Sequence, residues 1–276
     1  MTDTDREFLR TTFGQDAHLY DRARPGYPEQ LFDDLARLTG LGPQSRVLEI
    51  GCGTGQATLS LARLGCTVVA VELSPAMATV ARSNLRDFPN VTVEVSAFED
   101  WTPPAAAFDL VVSATAFHWV DPAVRFHKAA DVLRPGGTLA VINSEHVAGG
   151  TERFFVDAQG CYERFDPATP PGLRQTPGDE IPDDSSDFDS SGRFGAAHFS
   201  RYEWEQPYTT RTYLDLLMTY SGHRALPQTA RHGLLACLAT LIDRDHHGQI
   251  SKRYLTRLTA APKTPDHPSA VSRRSW

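Results

Sequence analysis

The stretch with the clearest chemical potential is Val47-Leu48-Glu49-Ile50-Gly51-Cys52-Gly53-Thr54-Gly55. An apolar run ends on a carboxylate, glycines follow at alternate positions, and Gln56-Ala57-Thr58-Leu59-Ser60-Leu61-Ala62 reads as a helix. Strand, glycine turn and helix open a nucleotide-binding α/β unit. The glycines let backbone approach a ligand, and the first helical turn offers free N–H groups. The spacing is G-x-G-x-G, with Gln56 standing where a dinucleotide motif requires its third glycine. Glu72 closes the next apolar run and suits a ribose diol. Glu49 would repel a diphosphate, whereas it would attract a ligand carrying an amino or sulfonium group. Farther along stands Phe117-His118-Trp119. His118 titrates near neutrality, as a base or an acceptor-orienting group would; the alternative is that His118 and Trp119 only pack and hydrogen-bond beneath the ligand.

Alternating elements position these residues. Glu29 to Leu38 has helical spacing and is stopped by Thr39-Gly40-Leu41-Gly42-Pro43. Thr67 to Val71 is a strand, and Ser74 and Pro75 then suit the cap and first position of a helix from Met77 to Phe88. Val91 to Val95 and Phe108 to Ser113 are strands, Val124 to Leu133 is a helix closed by Arg134-Pro135-Gly136-Gly137, and Thr138 to Ile142 is a fifth strand. This order implies an α/β fold with a doubly wound, mainly parallel sheet. Ligands in such sheets lie beyond the carboxyl ends of the strands, so Ser113 to Asp121 and Asn143 to His146 face the cavity. The two prolines Pro25 and Pro28 make residues 1–28 a structured arm, with no continuous helix. The acidic, Pro- and Ser-rich segment 170–192 reads as a mobile solvated loop. Beyond it, His198 to Glu205 is a strand, Tyr213 to Tyr220 and Leu234 to Ile242 are helices, and Ile250 to Leu258 is the last strand. A tail from Pro262 reads as disordered. The expected divisions are an arm or lid at 1–28, a binding core at 29–148, a part completing the sheet and acceptor pocket at 149–261, and a tail at 262–276.

With 276 residues the chain can bury one large α/β core, and a net charge of −7 argues against a nucleic-acid partner. Cys52, Cys66, Cys161 and Cys237 show neither a CxxC pair nor zinc spacing, so four reduced thiols in a cytoplasmic protein are expected, with no metal. No apolar run reaches spanning length and the start lacks a signal-peptide core, so no membrane partner is expected.

Four blocks in order, Glu49 to Gly55, Glu72-Leu73-Ser74-Pro75, Phe108 to Ser113 and Leu133 to Gly137, resemble the class I S-adenosylmethionine (SAM)-dependent methyltransferases. The Phe117-His118-Trp119 block and the arm Arg24-Pro25-Gly26-Tyr27-Pro28 resemble the small-molecule branch that includes the trans-aconitate and type 11 enzymes. The resemblance implies a Rossmann-like, seven-stranded sheet with a helical cap, SAM as cofactor and S-adenosylhomocysteine as product. Gly51, Cys52 and Gly53 would underlie the methionine part, Glu72 would hold the ribose, Leu73 would lie against adenine, and Ala97, Phe98 and Glu99 would form the adenine slot. Many relatives place Asp before that Ala; here it is Ser96, which leaves Glu99 as a candidate for the adenine amino group.

Tyr20 and Arg24 are expected to close over the methionine end, Arg24 being suited to a carboxylate of cofactor or acceptor; the alternative is a solvated arm. Trp119, His146, Tyr220 and Arg224 are candidate acceptor contacts, although Tyr220 to Arg224 equally reads as a simple turn after a helix. His246-His247 reads as a solvated turn. The expected reaction is methylation of a small molecule at a carboxylate or another oxygen, nitrogen or carbon nucleophile, by a monomer or homodimer; the alternative is a non-catalytic SAM-binding protein acting through a partner. A nucleic-acid methyltransferase is disfavoured because Ser113-Ala114-Thr115-Ala116 replaces an Asn/Asp-Pro-Pro-aromatic block, and a nicotinamide dehydrogenase by Gln56 and Glu49.

Overall fold

The computed structural model describes residues 10, 14, 16–103 and 106–265. Seven strands form one sheet: β1 (Arg46–Ile50), β2 (Thr67–Glu72), β3 (Val91–Val95), β4 (Phe108–Ala114), β5 (Leu133–His146), β6 (His198–Thr209) and β7 (Gln249–Pro262). Their order across the sheet is β3-β2-β1-β4-β5-β7-β6. The first five run parallel, while β7 lies antiparallel to both β5 and β6. Strand order reverses between β1 and β4, which opens a crevice at their carboxyl ends.

The central strands are buried because helices cover both faces, so β1 and β4 are buried along nearly their whole length. On one face Leu31, Phe32 and Leu35 of α2 (Glu29–Thr39) and Leu61 of α3 (Gln56–Arg63) pack on Leu110 and Val112. On the other, Phe126 of α5 (Arg125–Val132) joins Phe108, Leu133 and Leu139. The cap has its own core, in which Phe154 of α6 (Glu152–Phe165) meets Leu216 of α8 (Thr210–Leu217) and Leu234 and Leu238 of α10 (Gln228–Asp245). Two shorter helices, α7 (Ser186–Ser191) and α9 (Ser221–Ala225), complete this part. The local signals act as expected. Ser74 Oγ accepts from Met77 N at 3.3 Å with Pro75 opening α4 (Pro75–Asn84), and Gly40 ends α2 in the left-handed conformation.

Several expectations need correction. The arm contains a helix, α1 (Ala17–Ala23), capped by Asp16. It stops at Arg24 because the residue before Pro25 is forced into extended backbone. Arg134 to Gly137 fall inside β5, but Phe108 pairs with Leu133 and Leu110 with Thr138, so these four residues bulge out of the ladder. The segment 170–192 is no free loop. Phe188 of α7 is buried edge-on against Phe126 and Phe194; Arg125 of α5 pairs with Asp187, and Arg201 and Arg257 tie Asp183 and the Pro182 carbonyl to the sheet. Pro262 ends β7 rather than beginning a tail, and Lys263 is buried with Nζ donating to the Leu133 carbonyl; residues 266–276 lie outside the described part. Finally, Cys161 and Cys237 form a disulfide between α6 and α10, leaving Cys52 and Cys66 as the two thiols. They are 76 residues apart in sequence, so no local spacing announces the pair. Among the described residues no helix is long and apolar enough to cross a membrane.

Candidate active site

The crevice at β1 and β4 is one end of a cavity of about 1120 Å³ that continues beneath the cap. At the crevice, backbone geometry makes the wall. Gly51 has φ +70°, and a Cβ there would lie 2.5 Å from Ala116 Cβ, so only glycine leaves the turn its room. The Gly51 amide donates to the Val71 carbonyl, which ties the turn to β2. Glu72 completes that tie: its carboxylate accepts from Gly53 N and from Ser74 N, both at 2.8 Å. A carboxylate has about four lone-pair positions, so acceptor capacity remains for a diol. Burial raises the Glu72 carboxyl above its ordinary value, against the lowering pull of these amides.

Beneath the turn lies Glu49, 1% exposed, with Oε2 buried and without a hydrogen-bond partner. Burial pushes its carboxyl up to about 7. It borders a small void shared with Tyr20, Tyr27 and Gly53. A buried carboxylate with one oxygen unpartnered, beside an open glycine turn, fits a ligand that arrives with a cation.

The arm covers this end. Arg24 lies over the Tyr20 ring at 5.1 Å and the Tyr220 ring at 4.3 Å, and its Nη2 donates to the Thr219 carbonyl at 3.2 Å. Gln56 Nε2 in turn donates to the Arg24 carbonyl, and the Tyr27 hydroxyl lies 3.0 Å from Thr115 Oγ1. Thr115 itself has φ +52°, a conformation that costs a β-branched residue energy and directs the chain after β4 into the cavity wall.

Residues 47–137 match the family model described as "Methyltransferase domain". An uncharacterized methyltransferase of Mycobacterium tuberculosis is 36% identical over 137 residues, 50% of this chain and 54% of the relative. A demethylmenaquinone methyltransferase of Tropheryma whipplei is 32% identical over 162 residues, 58% of this chain and 61% of the relative. The chain thus spans about half the length of the mycobacterial relative it matches. Among solved structures, one assigned as a type II methyltransferase from Anaeromyxobacter dehalogenans covers 88% of this chain and 99% of its own, at 25% identity and TM-score 0.60. Over residues 47–137 the chain is thus similar to methyltransferase domains, and its sheet has the fold of solved methyltransferases. A Haemonchus contortus phosphoethanolamine N-methyltransferase, solved with phosphomonomethylethanolamine and S-adenosylhomocysteine, shares the fold at TM-score 0.53 and 18% identity, covering 96% of this chain and 61% of that one.

In the structure most of the expected cofactor residues meet. Tyr20, Arg24, Gly51, Gly53, Glu72, Leu73, Ala97, Phe98 and Glu99 all line the cavity, and Cys52 and Glu49 border the void beneath it. Glu99 is already engaged, with Oε1 accepting from Arg10 at 2.8 Å and from Asp121 N at 3.0 Å. Ser113 does not reach the site: it is fully buried and its hydroxyl donates to the Ile50 carbonyl at 2.9 Å, joining β4 to β1. Of the acceptor candidates, Trp119, His146 and Tyr220 line the cavity. Arg224 stands outside that wall, its Nε donating to the Met218 carbonyl at 2.5 Å. His246 is no solvated group, since its ring packs edge-on to Phe154 at 5.6 Å.

His118 lines the cavity with an exposed side chain, its ring 4.8 Å from that of Trp119, and has no hydrogen-bond partner among the described residues. Desolvation by the surrounding wall and the charge of Arg125 hold its pKa below the ordinary value, which keeps it neutral. His146 is held neutral more strongly, pushed down to about 2 by burial and by Lys252, and Gln175 Nε2 lies 2.7 Å from its ring. The cap end of the cavity holds His223, from the Tyr220 to Arg224 stretch, together with groups that the sequence did not single out: Tyr162, Tyr213, Tyr254 and Lys252. One signal was available. Ile250, Lys252 and Tyr254 share one face by the period of two in β7, and that face is buried.

Proposed function

We propose that the chain is a SAM-dependent methyltransferase acting on a small molecule that enters the chamber beneath the cap. The observation that carries this reading is the buried Glu49 carboxylate, its Oε2 without a partner, beneath a glycine turn whose Gly53 amide is tied to Glu72. The residues fit SAM: Glu49 would face its cationic part, Glu72 would take the ribose, Leu73 and Phe98 would enclose adenine, and Tyr20 with Arg24 would close the methionine end. When bound, the cofactor supplies a methyl group on a sulfonium, which transfers to an in-line nucleophile with loss of that positive charge. The protein's part is then alignment and exclusion of water. The arm and the cap, joined through Arg24 and Tyr220, enclose the acceptor. His118 and Trp119, on the turn after β4, orient its reactive atom. The demethylmenaquinone relative supports a small organic acceptor.

The test is calorimetric titration of the full chain with S-adenosylhomocysteine and with NAD, followed by methyl transfer from labelled SAM to panels of small acids, phenols and amines. S-adenosylhomocysteine should bind and NAD should not. Glu72→Ala should weaken S-adenosylhomocysteine about tenfold or more, since hydrogen bonds to a charged group are lost. Tight binding with no transfer to any acceptor would favour a regulatory SAM-binding protein.

A further inference from the structure

The cap end of the cavity contains two cations, and neither is ion-paired among the described residues. Lys252 is 4% exposed and lines the cavity, on the inward face of β7. Its Nζ donates to the Tyr220 hydroxyl at 3.0 Å and lies 5.2 Å and 5.0 Å from the ring centres of Tyr220 and Tyr254. An ammonium has three donors, and Tyr220 takes one. Arg24 approaches the same Tyr220 ring from the arm, at 4.3 Å, with Nε buried and unpartnered. Neither cation has a carboxylate within 4.0 Å among the described residues.

The acids that line the cavity lie beyond ion-pair distance of both cations, and most have partners of their own. Glu72 is bound to Gly53 and Ser74, and Glu99 to Arg10. Asp166 accepts from Ala168 N and the Thr169 hydroxyl, and Glu152 is exposed. The two histidines beside Lys252, His146 and His223, are held neutral by burial and by that ammonium, so they add no charge. The cofactor does not correct the balance either. SAM carries a sulfonium and an ammonium against one carboxylate, so it adds a net positive charge; its carboxylate can answer Arg24 and still leave Lys252 without a counter-ion. A buried ammonium is costly unless it is paired.

We propose that Lys252 is the specificity-determining residue of the acceptor chamber and binds the carboxylate of a small, planar organic acid. The inference rests on the methyltransferase reading given above. Tyr220 and Tyr254 would flank the acid's plane, and the free ammonium donors would make charge-assisted bonds to its carboxylate.

The experiment uses the full chain saturated with S-adenosylhomocysteine and two probes of one shape, benzoate and benzamide, in calorimetric titrations up to about 10 mM, which reads Kd values in the millimolar range. Benzoate should bind about tenfold or more tightly than benzamide. Lys252→Met and Lys252→Gln should remove that preference while keeping wild-type affinity for S-adenosylhomocysteine, which reports an intact fold, and Lys252→Arg should retain it. Equal affinities in the wild type, a preference that survives both neutral substitutions, or no benzoate binding to the loaded protein would each overturn the proposal. So would an ultraviolet tyrosinate signal at about pH 7 that disappears in Tyr220→Phe, because Tyr220 itself would then be the counter-ion. Failure of S-adenosylhomocysteine to bind would overturn the cofactor reading and this inference with it.

Discussion

Glu49 is a carboxylate held where water does not reach it, and its value of about 7 makes it a measurable reporter of the site. The folded value lies above the ordinary 4.5, so between the two the native protein binds more protons than the unfolded chain. By linkage, Glu49 subtracts stability as pH rises through that window and subtracts it fully above about 7. Glu49→Gln is therefore expected to stabilise the ligand-free protein at alkaline pH by on the order of 2 kcal/mol, read from urea denaturation. The same change should weaken SAM. In the wild type, SAM affinity should rise as pH rises toward 7 and ionises Glu49; a flat pH profile would remove Glu49 from the cofactor site. At this scale much was legible: Gly51, Gly53, Glu49 and Glu72 are read from one strand-turn-helix block and the end of the next strand. Ser113 was misread because position at a strand end does not say which way a short hydroxyl turns; here it turns to Ile50.

Elements show where local signals stop. The caps, the helices of the α/β core and all seven strands follow from periodicity and from Gly, Pro and Ser positions, because those signals act within one turn or one strand. The segment 170–192 was opaque because its order comes from partners far along the chain. Phe188 is 5% exposed against Phe126 and Phe194. Phe188→Ala should cost about 3 kcal/mol, the usual scale for deleting a buried aromatic ring, as measured by chemical denaturation. The disulfide is a second such case. Denaturing alkylation without reductant should label two cysteines, Cys52 and Cys66, and four after reduction. Reduction should lower stability by about 2–4 kcal/mol, with faster amide exchange concentrated in α6 and α10. Labelling of all four thiols without reductant would refute the pairing.

For the whole molecule, the decisive object is the chamber between the carboxyl ends of the strands and the cap. It brings His146 of β5, His223 of α9 and Lys252 of β7 together, and its burial sets their charge states. The folded values of His146 and His223, about 2 and about 4, lie below the ordinary 6.5. The unfolded chain therefore takes up more protons as pH falls below about 6.5, and stability drains between about 6.5 and 4. Replacing both histidines with Gln should remove on the order of 2 kcal/mol of that acid loss, after allowance for their partial exposure, in denaturation midpoints compared at about pH 6.5 and 4. The sequence alone determined the glycine turn, the acids around it and the parallel start of the sheet, because each depends on residues close together in the chain. Tertiary structure alone decided that Cys161 meets Cys237, that Arg224 faces away while Lys252 faces in, and that Arg24 and Lys252 meet at one tyrosine. Those outcomes depend on which distant side chains share a buried volume, and on the desolvation that burial imposes.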